Sequence, residues 1–198
     1  MAALTLTQPA EILTPDAVAM NRFVADVRAA CESETTIGRI LGRTEAVLKA
    51  LLADPACLDG LAIDRQEHRS WKVYTDPDHL FCIHASHQKP NYRRGVHDHG
   101  ELGWAVYGVF RGEVVQELYE RLDDGADPDR VELRALPPIV QRAGDATVIP
   151  VGGAHAPHNE DGNDAWTVVI RSRDLTTIWR NFYDVHKGRV VRRRSSGD

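Results

Sequence analysis

The sequence predicts a mainly β domain, an antiparallel sandwich or closed barrel preceded by α-helices. Two observations carry this. From about residue 68 onward, short β-type runs alternate with Gly, Pro and Asp-rich turn signals. Before that point the apolar residues recur at helical spacing. The length, 198 residues, suits one domain (1–198) that can bury its own core without disulfide staples.

The elements follow in order. Residues 1–13 read as a loose arm and 14–58 as a helical part. Thr14-Pro15-Asp16 has the form of a helix start, with a hydroxyl before a Pro and an acid in the first turn. Val18, Phe23, Val24, Val27 and Ala30 then form one apolar stripe. A second helix is expected from about Thr36, with Ile37, Ile40, Leu41, Val47, Leu48, Leu51 and Leu52, ending before Asp54-Pro55. The β-barrel is expected over 68–185. Its runs are Trp71–Thr75, Leu80–Ala85, Gly103–Phe110, Glu113–Glu120, Val131–Leu136, Ala146–Ile149, Trp166–Arg171 and Thr176–Trp179, with Arg189–Val191 beyond it. The Arg189–Arg194 cluster, in the stretch 189–198, reads most simply as a solvated basic tail.

Composition narrows the function classes. With 24 Lys+Arg against 29 Asp+Glu the net charge is -5, which argues against a nucleic-acid partner. No apolar run approaches the roughly 18 residues of a membrane helix, so no membrane partner is expected. No signal peptide is read at the N-terminus, and three scattered Cys make no disulfide framework, so the expected location is cytoplasmic. There is no phosphate-binding Gly-rich loop, so no nucleotide cofactor is expected. Nine His is the unusual count and directs attention to metal ligation.

The sharpest segment is Arg94-Gly95-Val96-His97-Asp98-His99-Gly100. In extended chain, alternate side chains share a face, so His97 and His99 point together and Asp98 points away. A second segment, from Gly144 to Asn159, carries a strand into a Pro-x-Gly turn that delivers His155. Gly144, Pro150, Gly152, His155 and Asn159 match the second cupin motif at every fixed position; His97, His99 and Gly112 fit the first. The sequence therefore resembles the cupins, double-stranded β-helix or jelly-roll barrels, and the resemblance implies that His97, His99 and His155 converge as metal ligands. The Glu usual in the first motif is missing, for Gly103 and Trp104 stand at its place, and Glu101 is off the spacing. Three neutral His would leave a divalent ion its full charge and up to three open positions, like an iron oxygenase facial triad whose carboxylate is replaced.

Among three-His cupins the sequence resembles the thiol dioxygenases, in particular the bacterial cysteine dioxygenase-like and 3-mercaptopropionate dioxygenase-like branch. The matching stretches are Val73-Tyr74-Thr75-Asp76-Pro77 with Phe81, Val96-His97-Asp98-His99-Gly100, and Gly108-Val109-Phe110-Arg111-Gly112-Glu113, within residues 35–185. The resemblance implies a mononuclear Fe(II) centre and O2 as co-substrate, with a small thiol oxidised to a sulfinic acid. Imidazole also suits Zn, Ni or another divalent metal. The family's Ser-x-His-x-Tyr run falls on Thr167, Val169 and Arg171, so the His and Tyr of that run are replaced. Arg171 instead offers a planar fork for a carboxylate. The family's early carboxylate-binding Arg falls near Ser70, which makes neighbouring Arg69 a second substrate-binding candidate.

Arg171, His158 and Tyr107 are thus the residues expected to serve catalysis beside the metal. His84 and His87 are placed near a strand end, and His68, His79 and His186 at the surface or in loops. Partners are a small-molecule substrate and O2, and a homo-oligomer stays open. Two rivals remain: a three-His cupin that cleaves a carbon–carbon bond of a diketone-like substrate, and a non-catalytic metal-binding cupin.

Overall fold

The computed structural model describes residues 13–67 and 69–194. Most of the expected arm, His68 and residues 195–198 lie outside these. Among the described residues two helices, α1 (Val18–Ser33) and α2 (Ile37–Leu52), precede eleven strands: β1 (Ser70–Thr75), β2 (Cys82–Gln88), β3 (Ala105–Arg111), β4 (Glu113–Arg121), β5 (Leu133–Ala135), β6 (Ile139–Arg142), β7 (Ala146–Ile149), β8 (Ala154–His158), β9 (Ala165–Arg171), β10 (Trp179–Asp184) and β11 (Arg189–Arg194). The architecture is mainly β with two helices, as predicted.

The helices lie close to expectation. α2 is capped by Thr36, whose side chain accepts from the Arg39 amide. α1 begins at Val18 rather than at Thr14-Pro15-Asp16, a correction with a local cause. The Thr14 hydroxyl donates to the Gly60 carbonyl at 2.6 Å, and Gly60 is packed against the backbone of Asp16 and Ala17. That contact holds 14–17 in a turn. Val18 is consequently 72% exposed, while Phe23, Val24, Val27 and Ala30 are buried as the stripe predicts.

The strands form antiparallel sheets: a five-stranded one of order β1-β2-β9-β3-β7, a four-stranded one in which β4 is flanked by β5 and β6 on one side and by β8 on the other, and a two-stranded β10–β11 ribbon. Antiparallel alternation splits each strand of the first sheet between two environments. Trp166, Val168 and Ile170 of β9 join Leu48, Leu52, Val106 and Ile83 in the core beneath the helices. Thr167, Val169 and Arg171 point the other way, into the barrel. Gly108 on β3 leaves room for α2: a Cβ there would lie 2.6 Å from Leu52 Cδ1. The strand β9 is buried along its whole length, Thr167 and Arg171 included, which fits its mostly apolar sequence.

Three further expectations are corrected. Thr176 and Thr177 lie in a turn tied to Asp174, whose carboxylate accepts from the Thr176 amide and hydroxyl at 2.9 and 2.7 Å, so the strand there starts only at Trp179. Leu80 has φ 63° and belongs to the Asp76-capped turn, so β2 starts at Cys82. The Arg189–Arg194 cluster is no solvated tail but β11, paired residue by residue with β10, with Arg193 stacked 4.1 Å from the Phe182 ring centre. His87, expected near a strand end, is the penultimate residue of β2, buried, 2.8 Å from Asp164 Oδ2 and stacked on Trp166 at 4.6 Å. The ribbon and the histidine answer to partners elsewhere in the chain, which a local pattern does not contain, whereas both turns are closed by an Asp two to four residues away.

Candidate metal centre

The His97–His99 segment runs between β8 and β10. His97 exchanges backbone hydrogen bonds with His155 at 3.0 and 2.9 Å, and Asp98 N donates to Asn181 O at 3.1 Å. This strand-like placement directs His97 and His99 inward and Asp98 outward, as alternation predicts. The Asp98 carboxylate accepts from the Gly100 and Asn181 amides, both at 2.9 Å, and from Asn181 Nδ2 at 2.8 Å. β8 brings His155 to the same point, and its ring centre lies 4.7 Å from that of His97 and 5.0 Å from that of His99. One nitrogen of each of the three rings falls within 4.8 Å of the others, and all three residues are buried.

The protonation chemistry fits a cation. His97 Nδ1–H donates to the Gly95 carbonyl at 2.8 Å, and His155 Nδ1–H to Gln116 Oε1 at 3.0 Å. His155 Nε2 and His99 Nδ1 are buried with no protein partner. Buried orphan lone pairs are costly, so a ligand held there is the simplest account of them. Burial is the main cause that pushes the His97 and His99 pKa values well below the usual range, with neighbouring His and Arg charges adding to it. His155 falls to about 3, through burial and then the Arg171, Arg94 and Arg180 charges. The rings are therefore neutral at pH 7, the form that ligates.

The absent Glu has a steric counterpart. A Cβ at Gly103 would stand 1.8 Å from the His99 carbonyl oxygen, so the backbone leaves no room for a side chain at that position. Glu101 is on an exposed turn and does not join the cluster. The donor set is imidazole alone.

Beside the cluster the barrel interior opens into a cavity of about 240 Å³, whose wall includes Ser86, Tyr107, Thr167, Val169 and Arg171. Tyr107 links the two: its ring lies 5.0 Å from that of His155, and its hydroxyl 3.4 Å from His99 Nε2. Arg171 is 4% exposed and faces this cavity rather than solvent. Arg69 reaches its outer part, held by Glu67 at 3.1 Å and lying 5.2 Å from the Trp71 ring centre. The structure thus brings Tyr107, Arg171 and Arg69 to one space. It does not bring His158 there. His155 and Pro157 share the inner face of β8, and His158 has the opposite parity, with Nε2 3.5 Å from Glu160 and Nδ1 3.9 Å from Glu117.

Sequence reasoning missed Gln116, Gln141 and Arg94. Gln116 and Gln141 are fully buried on β4 and β6, and Gln116 Nε2 donates to Gln141 Oε1 at 2.9 Å. Gln141 Nε2 in turn donates to the Tyr107 carbonyl at 2.9 Å. For Gln116 the available signal was a Gln on one strand face with Val114 and Leu118; Gln141, between Val140 and Arg142, carries none. Arg94 lines the cavity, three residues before His97.

No family model and no curated protein matches this chain. Among solved structures, an oxalate oxidase in complex with the substrate analogue glycolate is 24% identical over 48% of this chain, with a TM-score of 0.38. That match spans 42% of the oxalate oxidase chain, less than half its length. A cupin superfamily protein from Desulfitobacterium hafniense is 14% identical over 58% of this chain and 85% of its own, with a TM-score of 0.40. The Cnp3 cupin domain of Schizosaccharomyces pombe is 7% identical over 57% and 66%, with a TM-score of 0.43. These likenesses are partial.

Proposed function

We propose that the chain is a mononuclear iron dioxygenase that oxidises the sulfur of a small acidic thiol to a sulfinic acid. The observation that carries this reading is the buried, carboxylate-free cluster of His97, His99 and His155 beside a cavity walled by Arg171. It is supported by the resemblance of the His-Asp-His and Gly-Val-Phe-Arg-Gly-Glu stretches to thiol dioxygenases. Fe(II), when bound, supplies adjacent positions for a thiolate and O2.

The protein's own residues do the rest. The three imidazoles would hold the ion, with Tyr107 standing between them and the cavity. Arg171 holds the substrate carboxylate in a two-pronged hydrogen bond and so fixes where the sulfur lies. Tyr107 presents its hydroxyl between cavity and cluster, 3.4 Å from His99 Nε2, where it would donate to a substrate oxygen. Ala105, Ile149 and Val169 keep that side of the interior apolar and exclude water.

One observation favours a second reading, carbon–carbon cleavage of a diketone-like substrate. Val169, at the place of the thiol dioxygenases' outer His, is buried in an apolar cluster with Tyr107 and offers no proton relay. One experiment separates the readings: metal analysis of the purified chain, then O2 uptake with a thiol panel and a diketone panel. Iron, uptake with 3-mercaptopropionate or cysteine, and loss of both in His97→Ala are expected. Uptake with diketones alone overturns the thiol reading. Bound metal without uptake on either panel favours a non-catalytic metal-binding cupin.

A further inference from the structure

Three hydroxyl side chains stand in one row across the cavity wall. Ser70 on β1 pairs with Ser86 on β2, and Ser86 pairs with Thr167 on β9. Directly paired residues on neighbouring strands point to the same face, and all three line the cavity. Two of them are engaged. Ser86 Oγ donates to Ser70 Oγ at 2.9 Å, and Ser70 Oγ lies 3.3 Å from His84 Nδ1. Thr167 is the exception: it is 2% exposed, and its hydroxyl has no hydrogen-bond partner in the protein. A buried hydroxyl left unmet is costly, and native proteins rarely leave one. Turned into a cavity rather than into packed core, it marks a place for a ligand atom.

The row lies apart from the metal end. Thr167 and Arg171 share one face of β9 four residues apart, about 13 Å of strand at about 3.3 Å per residue. Between them stands Val169, paired with Tyr107. The row itself is continued by Val109 on β3 and contains no charged side chain. A hydroxyl both donates and accepts, so the group that matches Thr167 is uncharged and two-way in the same sense, an amide or an alcohol. The cavity of about 240 Å³ has the volume of roughly eight waters at about 30 Å³ each, which is room for a chain that reaches from one end to the other.

We infer that Thr167 is a specificity-determining residue: its hydroxyl takes an uncharged polar group, an amide or an alcohol, at the end of the substrate away from the metal. The inference rests on the reading that this cavity receives the substrate with its carboxylate on Arg171, and adds a second point of recognition to it.

Calorimetry on the full chain loaded with zinc tests this without turnover. The probes are succinamate, glutaramate and adipamate, which set an amide at increasing distance from a carboxylate, and the hydrocarbon acids of the same shapes, with isopropyl in place of the amide. For the best-bound amide acid, Thr167→Val is expected to weaken binding by about 5–100-fold and Thr167→Ser to restore it to within about threefold. Thr167→Val keeps the shape of the side chain, so the hydrocarbon acids should bind both variants as they bind the unaltered protein. Three results overturn the inference: no amide acid binds the unaltered protein, Thr167→Val leaves amide binding unchanged, or it weakens both kinds of acid equally. Arg171→Gln separates the inference from the reading it rests on. It should weaken amide and hydrocarbon acids alike; if it weakens neither, the carboxylate role of Arg171 falls, while an amide preference that depends on Thr167 still upholds the subsite. The thiol reading keeps its own O2-uptake test.

Discussion

The Tyr183 hydroxyl donates to Asp98 Oδ2 at 2.7 Å, so the residue between the two inward histidines is anchored to β10. The carboxylate takes three further hydrogen bonds, from two amides and the Asn181 side chain. Asp98→Ala should cost about 2–4 kcal/mol, the scale for breaking a buried, charged hydrogen-bond network. Metal affinity should fall by roughly 10–100-fold, as when a residue that orients ligands is removed. Urea unfolding and competitive zinc titration check both; unchanged metal affinity would show that the histidines are oriented without β10.

Gln116 is the acceptor that orients His155. Gln116→Leu removes it and orphans both the imidazole Nδ1–H and Gln141 Oε1. Metal affinity should again drop by about 10–100-fold, with a stability loss of about 1–3 kcal/mol. Metal titration beside thermal unfolding reads this, and a loss of stability alone would separate packing from ligand orientation.

Gly103 is predicted to accept no side chain. Gly103→Ala places a Cβ 1.8 Å from the His99 carbonyl, so the 99–103 turn must rebuild and carry His99 with it. Gly103→Glu, which writes the missing acid back into the motif, should lose metal rather than gain a fourth ligand. Metal content after dialysis decides: tighter metal in Gly103→Glu would contradict the steric argument.

Acid should destabilise the metal-free chain. The three histidines have depressed values in the folded state, about 3 for His155, against about 6.5 when unfolded. Below 6.5 the unfolded chain therefore binds more protons, and stability falls as pH drops from there. Each histidine adds a slope of up to about 1.4 kcal/mol per pH unit. Urea midpoints between pH 7 and 4.5 measure it. Replacing His155 with Asn should reduce the slope by one histidine's share, and a flat profile would show that the rings already titrate in the folded state.

What could be read from sequence divides by the range of the interactions involved. The two histidine segments are local, and alternation alone turned His97 and His99 one way and Asp98 the other. Helix α2 and strands β4, β7 and β9 lay close to their expected bounds because their apolar residues mark each run locally. Legibility failed where a distant partner decides the outcome. Strand β11 exists because β10 pairs with it, α1 starts late because Gly60 holds the turn before it, and His158 faces Glu117 and Glu160 because β8 keeps alternating past His155. The glutamines behind His155 were invisible for the same reason: Gln116 and Gln141 are 25 residues apart and meet only across the β4–β6 pair.

That glutamine pair also gives the site a direction. A backbone carbonyl can only accept, so the Tyr107 oxygen commits the Gln141 amide to present its nitrogen there and its oxygen to Gln116. Gln116 must then spend its own nitrogen on Gln141, which leaves only its oxygen for His155. The imidazole has one answer left, a proton on Nδ1 and a lone pair on Nε2. The tautomer of a prospective metal ligand is thus dictated by the polarity of a peptide bond on the opposite sheet, passed through two side-chain amides, neither of which can flip alone.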